Sequence, residues 1–212
     1  MNVLQPITID FKLYEPQIKE KQTSVHYNGH YLKYVNNFNK LLIDNKNLKN
    51  IFCKVKEHST KNFKKTLLLL IVELFDPNSN LVHNVAQIYN HELYWKTITN
   101  SQKSLSSLCY YKNNLFNSDE LYNSFYNKFI SLGTKHFASG WLWIIFNNNS
   151  LDVITTHDAI IPLNKKILGV IDLWEHSYYL DYEANRKGYL ERVFLLIDWD
   201  YINKKITKIL KN

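Results

Sequence analysis

The feature that most constrains this chain is an apolar run that stops on a carboxylate. Ile167-Leu168-Gly169-Val170-Ile171 is short and uninterrupted, the pattern of a buried strand, and Asp172 closes it. A carboxylate in that position needs a partner, because burying it alone is very costly. Four residues further on stands His176, within Asp172-Leu173-Trp174-Glu175-His176-Ser177-Tyr178-Tyr179. If the chain turns helical after the strand, that offset lets imidazole and carboxylate face one point. One nitrogen and one oxygen suit a first-row transition metal; the same spacing also makes an ion pair or a cap.

The chain has 212 residues, enough to bury a substantial core in one large domain or two smaller ones sharing an interface. With only 5 Gly and 4 Pro against 15% aromatic residues, it should be compact and richer in helix than in strand. The formal charge is +7, yet all but Arg186 and Arg192 of the 26 basic residues are Lys. Abundant Lys, Asn, Ile and Tyr follow from A+T-rich codons, and Arg, the residue best fitted to read bases and phosphates, is scarce. No nucleic acid is expected as a partner. A positive field does suit an enzyme that consumes a small anion.

Cys53 and Cys109 are isolated, without the spacing of a disulfide framework or a zinc ribbon, which points to a reducing compartment. Met1 to Asp10 lacks the basic and apolar blocks of a secretory leader. The longest apolar stretch, Thr66 to Phe75, falls far short of the ~20 residues of a membrane span and contains Glu73. No membrane association is expected, and the location should be the cytoplasm or an organelle matrix.

Taken in order, Lys19 to Lys46 reads as helical, with room for a break, and residues 48–82 as further helix closed by a turn at Asp76-Pro77-Asn78-Ser79-Asn80. His83 to Trp95 is helical by pattern. Residues 99–118, rich in Ser, Asn and Lys, read as a connection, with a domain boundary near Asn100. Leu121 to His136 reads as a helix burying Tyr122, Phe125, Phe129 and Leu132. Trp141 to Phe146 and Leu151 to Thr155 read as strands joined by a hairpin at Asn147-Asn148-Asn149-Ser150, with Ile167 to Ile171 as a third strand. Tyr182 to Lys211 carries apolar residues at roughly helical spacing. The expected architecture is α+β: an N-terminal helical hairpin domain, residues 1–100, then residues 101–212 with a three-stranded antiparallel sheet and helices.

Two helical segments carry polar groups at helical spacing. His26, His30 and Tyr34 fall at i, i+4 and i+8 on one stripe, and Gln87 precedes His91 by one turn. Either set could be a satisfied polar edge of the core. A Gln beside a His on an otherwise aromatic helix suggests instead a fixed polar target, since a buried amide needs hydrogen bonds.

Four motifs, His26-Tyr27-Asn28-Gly29-His30-Tyr31-Leu32-Lys33-Tyr34, Ala86-Gln87-Ile88-Tyr89-Asn90-His91, Ser139-Gly140-Trp141-Leu142-Trp143 and Asp172 to Tyr179, together resemble the iron/manganese superoxide dismutases. The resemblance runs from about Pro16 to the C-terminus. It implies a metal held by His26, His91, Asp172 and His176, one ion per subunit, cycling between two oxidation states so that superoxide becomes dioxygen and peroxide. It also implies His30 and Tyr34 as a gateway pair, Trp141 and Trp174 as an aromatic shell, and Gln87 as the tuning group. A Gln on the helix one turn before the second His is typical of the iron enzymes, whereas the manganese-type position aligns with Ala159, so iron is expected, with manganese possible. Glu175 and Tyr179 match residues that cross a dimer interface, which implies a homodimer.

The chain departs from the family pattern at Tyr31, where His is usual, and at Tyr89, where Trp is common. Residues 48–82 are longer than the family norm, and the family's proline-rich N-terminal pattern is missing. None of these removes a ligand. The alternative is a family member that keeps the metal site but has lost turnover, acting as a structural metal protein.

Overall fold

The computed structural model of the chain describes residues 4–58, 63–76 and 79–211. They form two compact units, Met1–Thr8 with Val25–Glu92 and Ile9–Ser24 with Leu93–Asn212.

The first unit is helical. The run expected from Lys19 to Lys46 is broken as the sequence allows: α1 (Glu20–Val25), whose residues up to Ser24 belong to the second unit, a π-helical stretch (His26–Tyr31) and α2 (Leu32–Asp44) follow one another. Asn28 and Gly29, both poor helix formers, lie in the widened turn, and the Leu32 N–H reaches back five residues to the Tyr27 carbonyl. Two more helices, α3 (Lys46–His58) and α4 (Phe63–Leu74), lead to α5 (Asn80–Thr97). Val35, Phe38 and Leu42 on α2, Phe52 on α3, Leu67 and Ile71 on α4 and Val85 and Ile88 on α5 are buried. Leu74 is 61% exposed. The turn expected at Asp76 to Asn80 includes Pro77 and Asn78, which lie outside the described residues, as do residues 59–62 of the expected helical stretch.

In the second unit, residues 99–118 are not the connection that their composition suggests. They form α6 (Ser101–Phe116), because Ser and Asn here act as caps and packing residues: the Asn100 side chain accepts from the Lys103 N–H at 2.8 Å, Asn117 ends the helix in a left-handed conformation, and Ser104 and Ser107 are buried. In α7 (Asp119–Lys135), Ser118 caps the start, two acids occupy the first turn and Lys135 the last. Phe125 and Phe129 are buried as expected, while Tyr122 and Leu132 are only half-buried.

The sheet comprises β1 (Gly140–Asn147), β2 (Ser150–His157) and β3 (Lys166–Asp172), antiparallel in the order β2-β1-β3. Central β1 is buried on both faces, which is why Trp141 to Phe146 shows no alternation. The hairpin turns on Asn148 and Asn149, with φ of 47° and 57°, the left-handed pair that Asn tolerates. The exposed edge of β3 is covered. Thr97 Oγ1 accepts from the Val170 N–H at 3.0 Å and packs where a side chain on Gly169 would stand, while Lys205 Nζ donates to the Ile167 and Leu168 carbonyls. Beyond the sheet, a 3-10 turn (Glu175–Ser177) leads to α8 (Tyr179–Tyr182), α9 (Arg186–Phe194) and α10 (Trp199–Leu210). No helix among the described residues is long and apolar enough to cross a membrane.

Candidate metal centre

In the N-terminal unit, the π-helical stretch and α5 carry His26 and His91, each almost fully buried, with ring centroids 5.0 Å apart. π-Helical turns recur at functional sites because they re-aim side chains within a helix. Here the turn opens with His26 and includes His30, whose rings lie 6.5 Å apart edge to face. On α5, His91 Nδ1 lies 2.7 Å from the Gln87 carbonyl. A carbonyl only accepts, so Nδ1 carries the proton and Nε2 presents its lone pair, the tautomer a metal ligand requires.

The same Gln87 has a buried side chain whose Oε1 meets no hydrogen-bond donor among the described residues. A buried amide oxygen left so is costly unless a further group belongs there. The Tyr34 ring is half-buried, 5.5 Å from the His91 ring. Tyr89 is buried, and desolvation pushes its phenol up to about 12, so it is neutral at ordinary pH.

In the second unit, Asp172 is fully buried at the end of β3, where it pairs with Trp141 on β1. Its main-chain carbonyl accepts from the Tyr189 hydroxyl at 3.0 Å and from Ser177 Oγ at 3.2 Å. One carboxylate oxygen, Oδ1, accepts from the Trp174 N–H at 2.8 Å, and the other, Oδ2, faces His176 Nε2 at 3.5 Å. The turn after the strand is 3-10 rather than α, yet the four-residue offset still brings the two side chains together as expected. Trp174 leans over the His176 ring at 5.6 Å, and its own indole nitrogen is buried without a hydrogen-bond partner among the described residues. Glu175 and Tyr179 are exposed.

Each unit thus carries a pair of candidate metal donors, two imidazoles at His26 and His91 in the first and a carboxylate and an imidazole at Asp172 and His176 in the second. Nitrogen and hard oxygen donors of that kind suit a redox-active first-row metal.

The alpha-hairpin domain of iron/manganese superoxide dismutases matches residues 3–99, and the C-terminal domain of the same enzymes matches residues 112–205. An iron superoxide dismutase of Entamoeba histolytica is 31% identical over 195 residues, covering 91% of this chain and 92% of its own length. The chain belongs to the iron/manganese superoxide dismutase family. Another member, an iron superoxide dismutase of Plasmodium falciparum, is 31% identical over 207 residues, covering 92% of this chain and 91% of its own length. The manganese/iron superoxide dismutase of Rickettsia bellii is 28% identical over 214 residues, covering 97% and 93%.

Beside the residues that the superoxide dismutase motifs point to, the fold brings in others that the sequence did not single out. Gln22 bonds the main chain at His176, Glu92 lies next to His91 and bonds Tyr31, and Tyr189 holds the carbonyl of Asp172. Only Gln22 carried a signal, as a polar residue one turn before His26.

Proposed function

We propose that this chain converts superoxide to dioxygen and hydrogen peroxide at a single iron ion held by His26, His91, Asp172 and His176, with manganese as the ion that can replace it. The observation that carries the reading is the prepared donor set, in which the His91 tautomer is fixed by the Gln87 carbonyl and Asp172 is held from both its main chain and its Oδ1. A redox-active ion supplies the electron transfers when bound, so that two superoxide anions and two protons give one dioxygen and one hydrogen peroxide; zinc has no such couple.

Protein groups do the rest. Gln87 offers a buried amide whose hydrogen bonding sets the balance between oxidation states. His30 and Tyr34, both half-buried, are placed to pass protons to the departing peroxide. Trp141 and Trp174 exclude water around Asp172 and His176. Iron is favoured because Gln87 stands on α5 one turn before His91 while position 159 is Ala, and the iron superoxide dismutases among the relatives agree with that choice.

A homodimer belongs to the same reading, supported by the exposure of Glu175 and Tyr179. So does a division at residue 100, into 1–100 and 101–212, supported by the two family matches on either side of it. Two exposed free thiols, Cys53 and Cys109, favour a reducing compartment such as the cytoplasm.

The test is superoxide dismutation by apoprotein reconstituted separately with iron and with manganese, normalised to bound metal. Fast turnover with iron and little with manganese is expected. Full occupancy by both metals with no turnover by either would replace this reading with that of a structural metal protein.

A further inference from the structure

Gln22 lies on α1, one helical turn before His26, and is 1% exposed. Both ends of its amide are engaged by main chain far away in sequence. Nε2 donates to the His176 carbonyl at 2.7 Å, and Oε1 accepts from the Leu180 N–H at 3.0 Å, where the sequence separations are 154 and 158. Two further contacts join the same segments. The Lys19 N–H donates to Asp181 Oδ2 at an exposed position, and the Tyr182 hydroxyl donates to the Gln17 carbonyl at a part-buried one.

A buried amide used in this way has one orientation. It must present a donor to the residue that carries a candidate ligand and an acceptor to the first turn of α8. Side chains without both functions leave a part-buried carbonyl or N–H without its partner. The amide therefore holds the main chain at His176 and at Leu180 in one spacing, and with it the direction in which the His176 ring leaves the backbone.

We propose that Gln22 is a positioning residue for the metal centre, tying the segment that carries His176 to the helix that runs into His26. The proposal rests on the metal-ligand reading given above. Gln22 touches neither substrate nor ion; it acts through the main chain of a ligand.

The test compares iron-loaded wild type with iron-loaded Gln22→Met, which keeps the length of the side chain and removes both hydrogen bonds. Two quantities are read: the rate at which excess chelator strips iron, and the visible absorption of the ferric centre. Groups that orient metal ligands from outside the ligand set change metal affinity about 10–100-fold, so iron release at least ~10-fold faster and a displaced ferric band are expected. A merely structural role would lower thermal stability but leave the band of the remaining folded, loaded protein where it is.

Release within about twofold of wild type, with an unchanged band, would overturn the proposal. Amide hydrogen exchange at Leu180 in the wild-type apoprotein gives a reading that does not depend on the variant folding: protection is expected, and exchange at the rate of an open amide would overturn the proposal as well. Wild-type protein that fails to retain iron at all would instead sink the metal-ligand reading, and the positioning role with it.

Discussion

The Tyr31 hydroxyl donates to Glu92 Oε1 at 2.7 Å, joining a position where the family usually has His to the residue that follows the candidate ligand His91. Both side chains are buried. The same phenol oxygen accepts from the Ile7 N–H at 2.9 Å, Tyr27 donates to the Ile7 carbonyl, and the Tyr31 ring stacks on that of His91 at 6.2 Å. Burial, followed by the charge of Glu92, holds the Tyr31 phenol far above its ordinary value of 10, so it stays a donor. Tyr31→Phe removes the donor to a buried carboxylate and the acceptor for Ile7. It should cost about 2 kcal/mol, read as a fall in Tm of about 4–8 °C for a chain of this size.

Gln87→Ala separates holding the metal from tuning it. The Gln87 carbonyl that fixes His91 is main chain and survives the change, whereas the buried amide is lost. Iron content per chain should stay near wild type while turnover falls by about one to two orders of magnitude, in line with groups that orient or tune metal ligands. Metal analysis alongside the rate assay checks it; wild-type turnover would dismiss the tuning role.

His176→Ala should behave in the opposite way. With the imidazole gone, the buried Asp172 faces an empty position and the donor set falls to two nitrogens and one oxygen. Iron should be lost on dialysis against a weak chelator, and full iron content in this variant would refute the ligand assignment.

Acid sensitivity should show a contribution from His136. Its ring is buried at the end of α7, 4.5 Å from the His157 ring centroid, with Nε2 3.3 Å from the Ser139 carbonyl. Burial lowers its pKa below 6.5, helped by His157 and Arg186 and opposed by the Ser139 carbonyl and Asp158. Because the folded value is the lower one, the unfolded chain takes up the proton first as pH falls. Stability is therefore intact above about pH 6.5 and is lost as pH drops through the folded value. In apoprotein, the fall in Tm between about pH 7.5 and pH 5 should be smaller for His136→Gln than for wild type.

Substrate capture should depend on salt. A formal charge of +7 attracts a small anion, and at about 0.15 M salt the screening length shrinks to about 8 Å. The second-order rate with superoxide should fall steadily as sodium chloride is raised from low concentration. A flat profile would show that the net charge plays no part in capture.

Much of this molecule could be read from local pattern. The unbroken apolar runs of β1 and β3, the Asn turn between β1 and β2 and the helical spacing of α7 are signals spanning a few residues, and they appear in the fold with nearly the expected bounds. Spacing picked out His26 and His30, Gln87 and His91, and Asp172 and His176 as polar pairs within one turn, while the ligand set was legible only through the resemblance to the superoxide dismutases. Local composition also misled. The Ser, Asn and Lys of residues 99–118 look like a connection, and only burial of one face of α6 shows that they are caps and close-packing residues in a helix.

The sequence by itself determined which donors exist and which short segments carry them, because periodicity and spacing act over a single turn or strand. The tertiary structure alone decided how those donors are held. Gln22 and His176 are 154 residues apart, and Tyr31 and Glu92 are 61 apart. A hydrogen bond between groups so distant in the chain leaves no local pattern, since it exists only once folding has brought the two segments within about 3 Å and removed the water that would otherwise satisfy them.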